Sequence, residues 1–94
     1  MTLNIWKFDI GVGTGPQHVP MPAGARLLSV QLQDGLPQLW ALCDTGAPQV
    51  LRRIEAFGTG DDVAAEAGST LDFLATLQVG PAVLHYFDRG ERAR

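Results

Sequence analysis

The sequence predicts a mainly-β domain, a small β-sandwich or barrel of about six or seven short antiparallel strands with one short helix. Three observations carry that prediction. Apolar and polar residues alternate with a period of two in several short runs. Gly, Pro and Asp punctuate those runs where turns are needed. The 94 residues show no internal repeat and no linker, so residues 1–94 form a single domain.

The first alternating run is Leu3 to Val12. Asn4, Trp6, Phe8 and Ile10 share one side; Leu3, Ile5, Lys7 and Asp9 share the other. Gly11 to Pro16, GVGTGP, follows as a loop. It lacks the GxGxxG order and no long helix follows, so a flexible turn is the better reading than an anion cradle. Gln17 to Met21 forms a short strand that Pro20 and Pro22 confine to a sheet edge. Pro22-Ala23-Gly24-Ala25 turns the chain.

Leu27 to Ala47 holds the strongest local signal. Asp34-Gly35 between two apolar-rich runs marks a two-residue hairpin turn. That places Gln33 opposite Leu36, Val30 opposite Leu39, Ser29 opposite Trp40 and Leu28 opposite Ala41. Leu28, Val30, Leu32, Leu39 and Ala41 then face the core, because side chains alternate across a strand. Ser29, Gln31, Gln33 and Gln38 share the second face and its polar end meets water, while Trp40, Leu27 and Leu42 nearer its far end call for cover by another element or a partner. Pro37, which cannot donate to a ladder, predicts an edge beside the turn.

Val50 to Phe57 is the next strand, broken by Gly58-Thr59-Gly60. Asp61 to Ala67, DDVAAEA, is the one helix candidate, about two turns with acids in the first turn where the dipole favours them. Leu71 to Val79 and Ala82 to Phe87 are two more strands around Gly80-Pro81. Phe73, Ala75, Leu77 and Val79 share one face of the former; Ala82, Leu84 and Tyr86 share one face of the latter. The charged end, residues 88–94, reads as a frayed tail.

Composition narrows the function. A chain this size buries roughly 60–65% of its unfolded surface, enough for a core without staples. The lone Cys43 permits no internal disulfide, which fits a reducing, cytoplasmic setting. There is no signal-peptide pattern and no apolar run of membrane-spanning length. A net charge of −3 argues against non-specific nucleic-acid binding.

Several residues are candidates for chemistry. Ala41-Leu42-Cys43-Asp44-Thr45-Gly46-Ala47, an apolar strand running into Asp-Thr-Gly, resembles the active-site loop of retropepsin-type aspartic proteases. The resemblance implies a homodimer in which two Asp44 carboxylates share a proton and activate water, with Thr45 and Gly46 shaping the loop. The chain departs from that pattern after the loop: Gly58-Thr59-Gly60 is a poor flap, and LQVG is only a near match to the segment threading under the site. The alternative is a turn in which Asp44 bonds its own backbone.

A second resemblance covers more of the chain. Ile5-Trp6-Lys7-Phe8, Met21-Pro22-Ala23-Gly24-Ala25, Leu28-Ser29-Val30-Gln31, Leu39-Trp40-Ala41-Leu42 with Asp44, Gly58-Thr59-Gly60 and His85-Tyr86-Phe87 occur in order. In this the chain is similar to a family of small phage and bacterial proteins of unknown function. The resemblance implies an all-β fold, a phage or prophage setting and a structural Asp44. It brings no activity and no functional residues.

Arg52 and Arg53, Trp40 and the Gly58-Thr59-Gly60 loop are the ligand or interface candidates. The loop could present amides to a phosphate, although Asp61 and Asp62 beside it repel one; a plain turn capped by Asp61 is the competing reading. Adjacent Arg52 and Arg53 point to opposite faces, so one pocket can take only one of them. His18, Cys43, Asp44 and His85 show no metal-ligand spacing, and neither metal nor cofactor is expected. Cys43 reads as a small buried apolar residue.

Binding rather than catalysis is therefore the expected role. The expectation is an anti-defence, anti-CRISPR-like inhibitor that occupies a host protein surface or sequesters a nucleotide-type signal. The first predicts an exposed apolar or acidic patch. The second predicts an oligomer with arginine and aromatic side chains at its interface. The alternatives are the homodimeric protease and a structural, homo-oligomeric phage accessory joined by edge strands.

Overall fold

The computed structural model describes residues 1–92 and contains seven antiparallel strands: β1 (Leu3–Asp9), β2 (Gly15–Pro22), β3 (Arg26–Gln33), β4 (Leu36–Asp44), β5 (Gln49–Gly58), β6 (Asp72–Val79) and β7 (Ala82–Arg92). They form two sheets, β1-β4-β3 and β2-β5-β7-β6. Among the described residues there is no helix. The fold is a small β-sandwich.

The core is the sum of the two inward faces. Val30, Leu39, Ala41 and Cys43 come from the three-stranded sheet. Met21, Ile54, Ala56, Leu84 and Tyr86 come from the four-stranded one. The Tyr86 hydroxyl donates to the carbonyl of Gly11, which satisfies a polar group that burial would otherwise strand.

The hairpin turn follows the sequence. Asp34 and Gly35 both take positive φ, 53° and 80°, the geometry that lets a two-residue turn match the strand twist. Gln33 pairs with Leu36, Val30 with Leu39 and Ser29 with Trp40, as predicted. The register then slips at a bulge: Leu27, not Leu28, stands opposite Ala41. The extra residue turns Leu28 out to 45% exposure and packs Leu27 on the core. Leu32 keeps its expected partner, Pro37, yet is 40% exposed, because the hairpin tip runs past the last β1 rung at Asp9–Gln38. For the same reason Pro37 has a free edge although β4 is the central strand.

Three further expectations are corrected. Asp61 to Ala67 is not a helix; with Asp61 through Gly68 all exposed, it has no buried stripe to stabilise one. The Asp61 carboxylate instead reaches back to the amide of Gly58 at 2.7 Å. Residues 88–92 are not frayed but continue β7, with Asp88 and Arg89 buried; the rest of the expected tail, residues 93–94, lies outside the described residues. Phe73 does not join Ala75, Leu77 and Val79, because a bulge between Phe73 and Ala75 puts it opposite Phe87 on the outer face, 60% exposed.

Candidate functional site

The two adjacent arginines do point to opposite faces of β5. Arg52 shares the inward parity of Ile54 and Ala56, where it meets Asp88, which shares the inward parity of Leu84 and Tyr86. Arg52 Nε lies 3.0 Å from Asp88 Oδ1 and Nη2 lies 2.8 Å from Oδ2, a two-pronged pair. Nη1 donates to the carbonyl of Ala25 at 2.9 Å and to Glu91 Oε1 at 3.4 Å. Burial pulls the Arg52 pKa down, but the bonds to Asp88 and the charges of Asp88, Glu91 and Asp72 outweigh it and hold the guanidinium charged. A cleft of about 330 Å³ opens beside this pair, lined by Ala25, Arg52, Thr70, Asp72, Asp88 and Glu91 among others. Its arginine is already engaged by Asp88, Glu91 and the Ala25 carbonyl, so it offers no free cation to a phosphate.

Arg53 lies on the outer face and is also taken. Glu66, from the strand-free strap between β5 and β6, accepts from Arg53 and, at 2.7 Å, from Arg89 Nη2. Hydrogen bonds from Arg53 and Arg89 hold the Glu66 carboxyl down at about 2, against an ordinary 4.5. Arg89 is the extra residue of a β7 bulge, facing Arg53–Gly90 on one side and Ile54–Asp88 on the other. It is 3% exposed and also donates to the carbonyl of Ala64 at 3.0 Å. Its Nε lies 3.5 Å from Glu55 Oε1 without hydrogen-bond alignment, and Nη1 has no hydrogen-bond partner. Sequence reasoning missed Asp88, Arg89 and Glu66. The signal for Asp88 was present: the alternation of Leu84 and Tyr86 continues into it, and an inward Arg52 requires an inward carboxylate.

The Asp-Thr-Gly loop is a self-bonded turn. Asp44 Oδ1 accepts from the Gly46 amide at 3.0 Å, and the Asp44 carbonyl accepts from the Ala47 amide at 3.1 Å. The Thr45 amide and hydroxyl both donate to the carbonyl of Thr2, tying the turn to the start of β1. Cys43 is fully buried, which pushes its thiol pKa up and keeps it a neutral core side chain.

In the Gly58-Thr59-Gly60 loop the Thr59 hydroxyl lies 2.7 Å from His85 Nε2, while Thr76 Oγ1 lies 2.9 Å from Nδ1. A hydroxyl both donates and accepts, so the two threonines satisfy either ring tautomer. Among the described residues no cluster of three or more His, Cys, Asp or Glu side chains could hold a metal ion.

What remains open is a surface. The outer face of β1-β4-β3 carries Leu3 at 51% and Ile5 at 60% exposure, beside the half-buried Trp40 and Leu42. Ile5 stands opposite Leu42, which stands opposite Arg26; Lys7 stands opposite Trp40, which stands opposite Ser29. The sheet order places no further strand over that face, yet Trp40 is half-buried among its neighbours, Lys7 reaches past it to Gln33, and Gln38, expected to face water, is only 7% exposed.

The model of one family matches residues 1–94. The chain belongs to that family, a domain of unknown function, DUF7352. Among curated proteins and solved structures nothing matches this DUF7352 chain. No helix of the described residues is long and apolar enough to cross a membrane.

Proposed function

We propose that this DUF7352 chain is a binding protein that covers a surface of a host protein, in the manner of a phage anti-defence inhibitor such as an anti-CRISPR. The contact is the outer face of β1-β4-β3. The observation that carries the reading is the pairing of an apolar sheet face left open with an arginine set left closed. Leu3 and Ile5 are exposed beside the half-buried Leu42 and Trp40, and no further strand lies over them. Arg52 and Arg53, which a nucleotide-sequestering pocket would use, are each paired with two carboxylates within the chain. Buried aromatic anchors such as tryptophan are among the groups that carry most protein–protein binding energy, with surrounding contacts excluding water. Arg26 and Lys7 in the middle rows have no carboxylate partner among the described residues, which suits a partner whose apolar patch has an acidic rim.

The test is functional. The chain is expressed in a panel of bacterial strains, each carrying one defence system, and plating of a sensitive phage is scored. Restored plating with one system, abolished by Trp40→Ser or Ile5→Glu and kept by Arg53→Ala, supports the reading. Equal protection by Trp40→Ser and loss by Arg53→Ala would move the contact to the arginine face.

A further inference from the structure

A sandwich of two open sheets has four edge strands, and each unpaired edge invites another strand unless it is guarded. Here the edges are β1 and β3 in one sheet and β2 and β6 in the other. Three are guarded. Pro16, Pro20 and Pro22 share one parity along β2, so the amides turned away from β5 are reduced, between Pro16 and Pro22, to that of His18. β3 is bulged at Leu28 and β6 between Phe73 and Ala75. β3 and β6 also run close to each other, on the same flank of the sandwich.

β1 has none of these devices. Its seven residues, LNIWKFD, contain no proline or glycine and pair with β4 without a break from Leu3–Asp44 to Asp9–Gln38. Its central charge, Lys7, is not posted at the free edge: Nζ donates to Gln33 on β3 at 2.8 Å, reaching across β4 and away from the edge. Both faces of the strand also carry unburied apolar surface. Leu3 and Ile5 are exposed outward, and Trp6 and Phe8 are only half-buried inward, their ring centroids 6.3 Å apart. One added strand would cover both faces at once.

We infer that β1 pairs antiparallel with β1 of a second copy, joining two three-stranded sheets into one six-stranded sheet. The strand's own sequence selects the register. A two-fold axis through Trp6 pairs all seven residues: Trp6 with Trp6, Asn4 with Phe8, Ile5 with Lys7 and Leu3 with Asp9 of the partner copy. Inward residues then meet inward ones, and no like charges stand directly opposite. Moving the axis to Lys7 sets two ammonium groups face to face; moving it to Phe8 or Ile5 leaves part of the strand unpaired. The two Lys7 side chains lie diagonally across the seam, and each is drawn off by its own Gln33. Such an interface is isologous, the commonest closed symmetry, and stops at two copies because it consumes the unguarded edge of each. The inference stands apart from the host-protein contact: the dimer forms in the purified chain alone, and either can fail without the other.

The test is the mass of the untagged chain by light scattering and sedimentation at sub-millimolar concentration. Twice the chain mass of 10.1 kDa is expected. Ile5→Lys, which sets a lysine opposite the partner's Lys7, should weaken the dimer at least about tenfold, while Ile5→Lys with Lys7→Glu should restore it. Trp6→Cys should oxidise to a covalent dimer, since the axis brings the two positions together, and Ile5→Cys should not. A wild-type chain that stays monomeric overturns the inference. So does a dimer that tolerates Ile5→Lys and leaves Trp6→Cys unlinked, because its interface then lies elsewhere.

Discussion

Arg52 grips Asp88 with both prongs of its guanidinium, across neighbouring strands and on the inward face of the sheet, with side chains only 13% and 9% exposed. The pair closes one end of the core, where Ile54 and Tyr86 give way to charge. Asp88 Oδ1 also accepts from the Gly90 amide at 2.9 Å, so the same carboxylate holds the β7 bulge in shape.

A charge left alone at such a site costs more than the pair was worth. Arg52→Met should therefore destabilise the domain by about 3 kcal/mol. The double change Arg52→Met with Asp88→Leu should lose clearly less than the sum of the two singles, because it leaves no orphan charge. Urea denaturation of the three variants reads this directly. Additive losses would mean the two groups act independently.

Glu66 gives a pH prediction with a definite sign. Its folded pKa, about 2, lies below its ordinary 4.5 because Arg53 and Arg89 hold the charged form. A lowered carboxyl pKa stabilises the fold fully above the ordinary value, and the contribution is lost as pH falls through the folded one. The strap between β5 and β6 should thus stay down at pH 5 and come free between pH 4.5 and about 2. Pepsin, active across that range, should begin to cut the strap there in the wild-type chain. Glu66→Gln should be cut throughout the range, with no added pH dependence.

The parts of this fold that were legible in the sequence are those fixed by two or three adjacent residues. Asp34-Gly35 specifies its turn through backbone conformation alone, and the prolines of β2 specify an edge by lacking donors. The parts that were not legible depend on distant partners. The strap looked helical from its acids and alanines, yet what holds it is Glu66 on Arg53 and Arg89, residues far along the chain. The charged end looked frayed because Asp88 and Arg89 are held by partners distant in sequence, among them Arg52, Glu66 and Thr70. For the candidate interaction face, alternation placed Trp40 correctly, and only the sheet order showed that no further strand lies over it.

Bulges are the third illegible class, and Leu27 and Leu28 show the consequence. Strict alternation puts Leu28 inside; the bulge puts Leu27 there. Leu27→Ala should cost about 2 kcal/mol through the lost packing and residual cavity. Leu28→Ser should change stability by less than about 0.5 kcal/mol, as at other surface positions. Thermal melts of the two variants separate the cases, and the reverse ranking would mean that the hairpin keeps its register without a bulge.

Asp44 offers the last comparison. Its carboxylate accepts the Gly46 amide across two residues, a bond that any short side-chain acceptor can reproduce. Asp44→Asn should keep the turn and nearly all the stability, whereas Asp44→Ala should lose about 1 kcal/mol, the net worth of one such bond. A catalytic carboxylate behaves otherwise: asparagine cannot share or shuttle the proton that an aspartic protease needs. Stability and peptide-library cleavage should be measured on both variants together. Loss of stability in the alanine variant alone marks a turn residue. Cleavage present in the wild type and absent in the asparagine variant would instead mark the loop as a catalytic one.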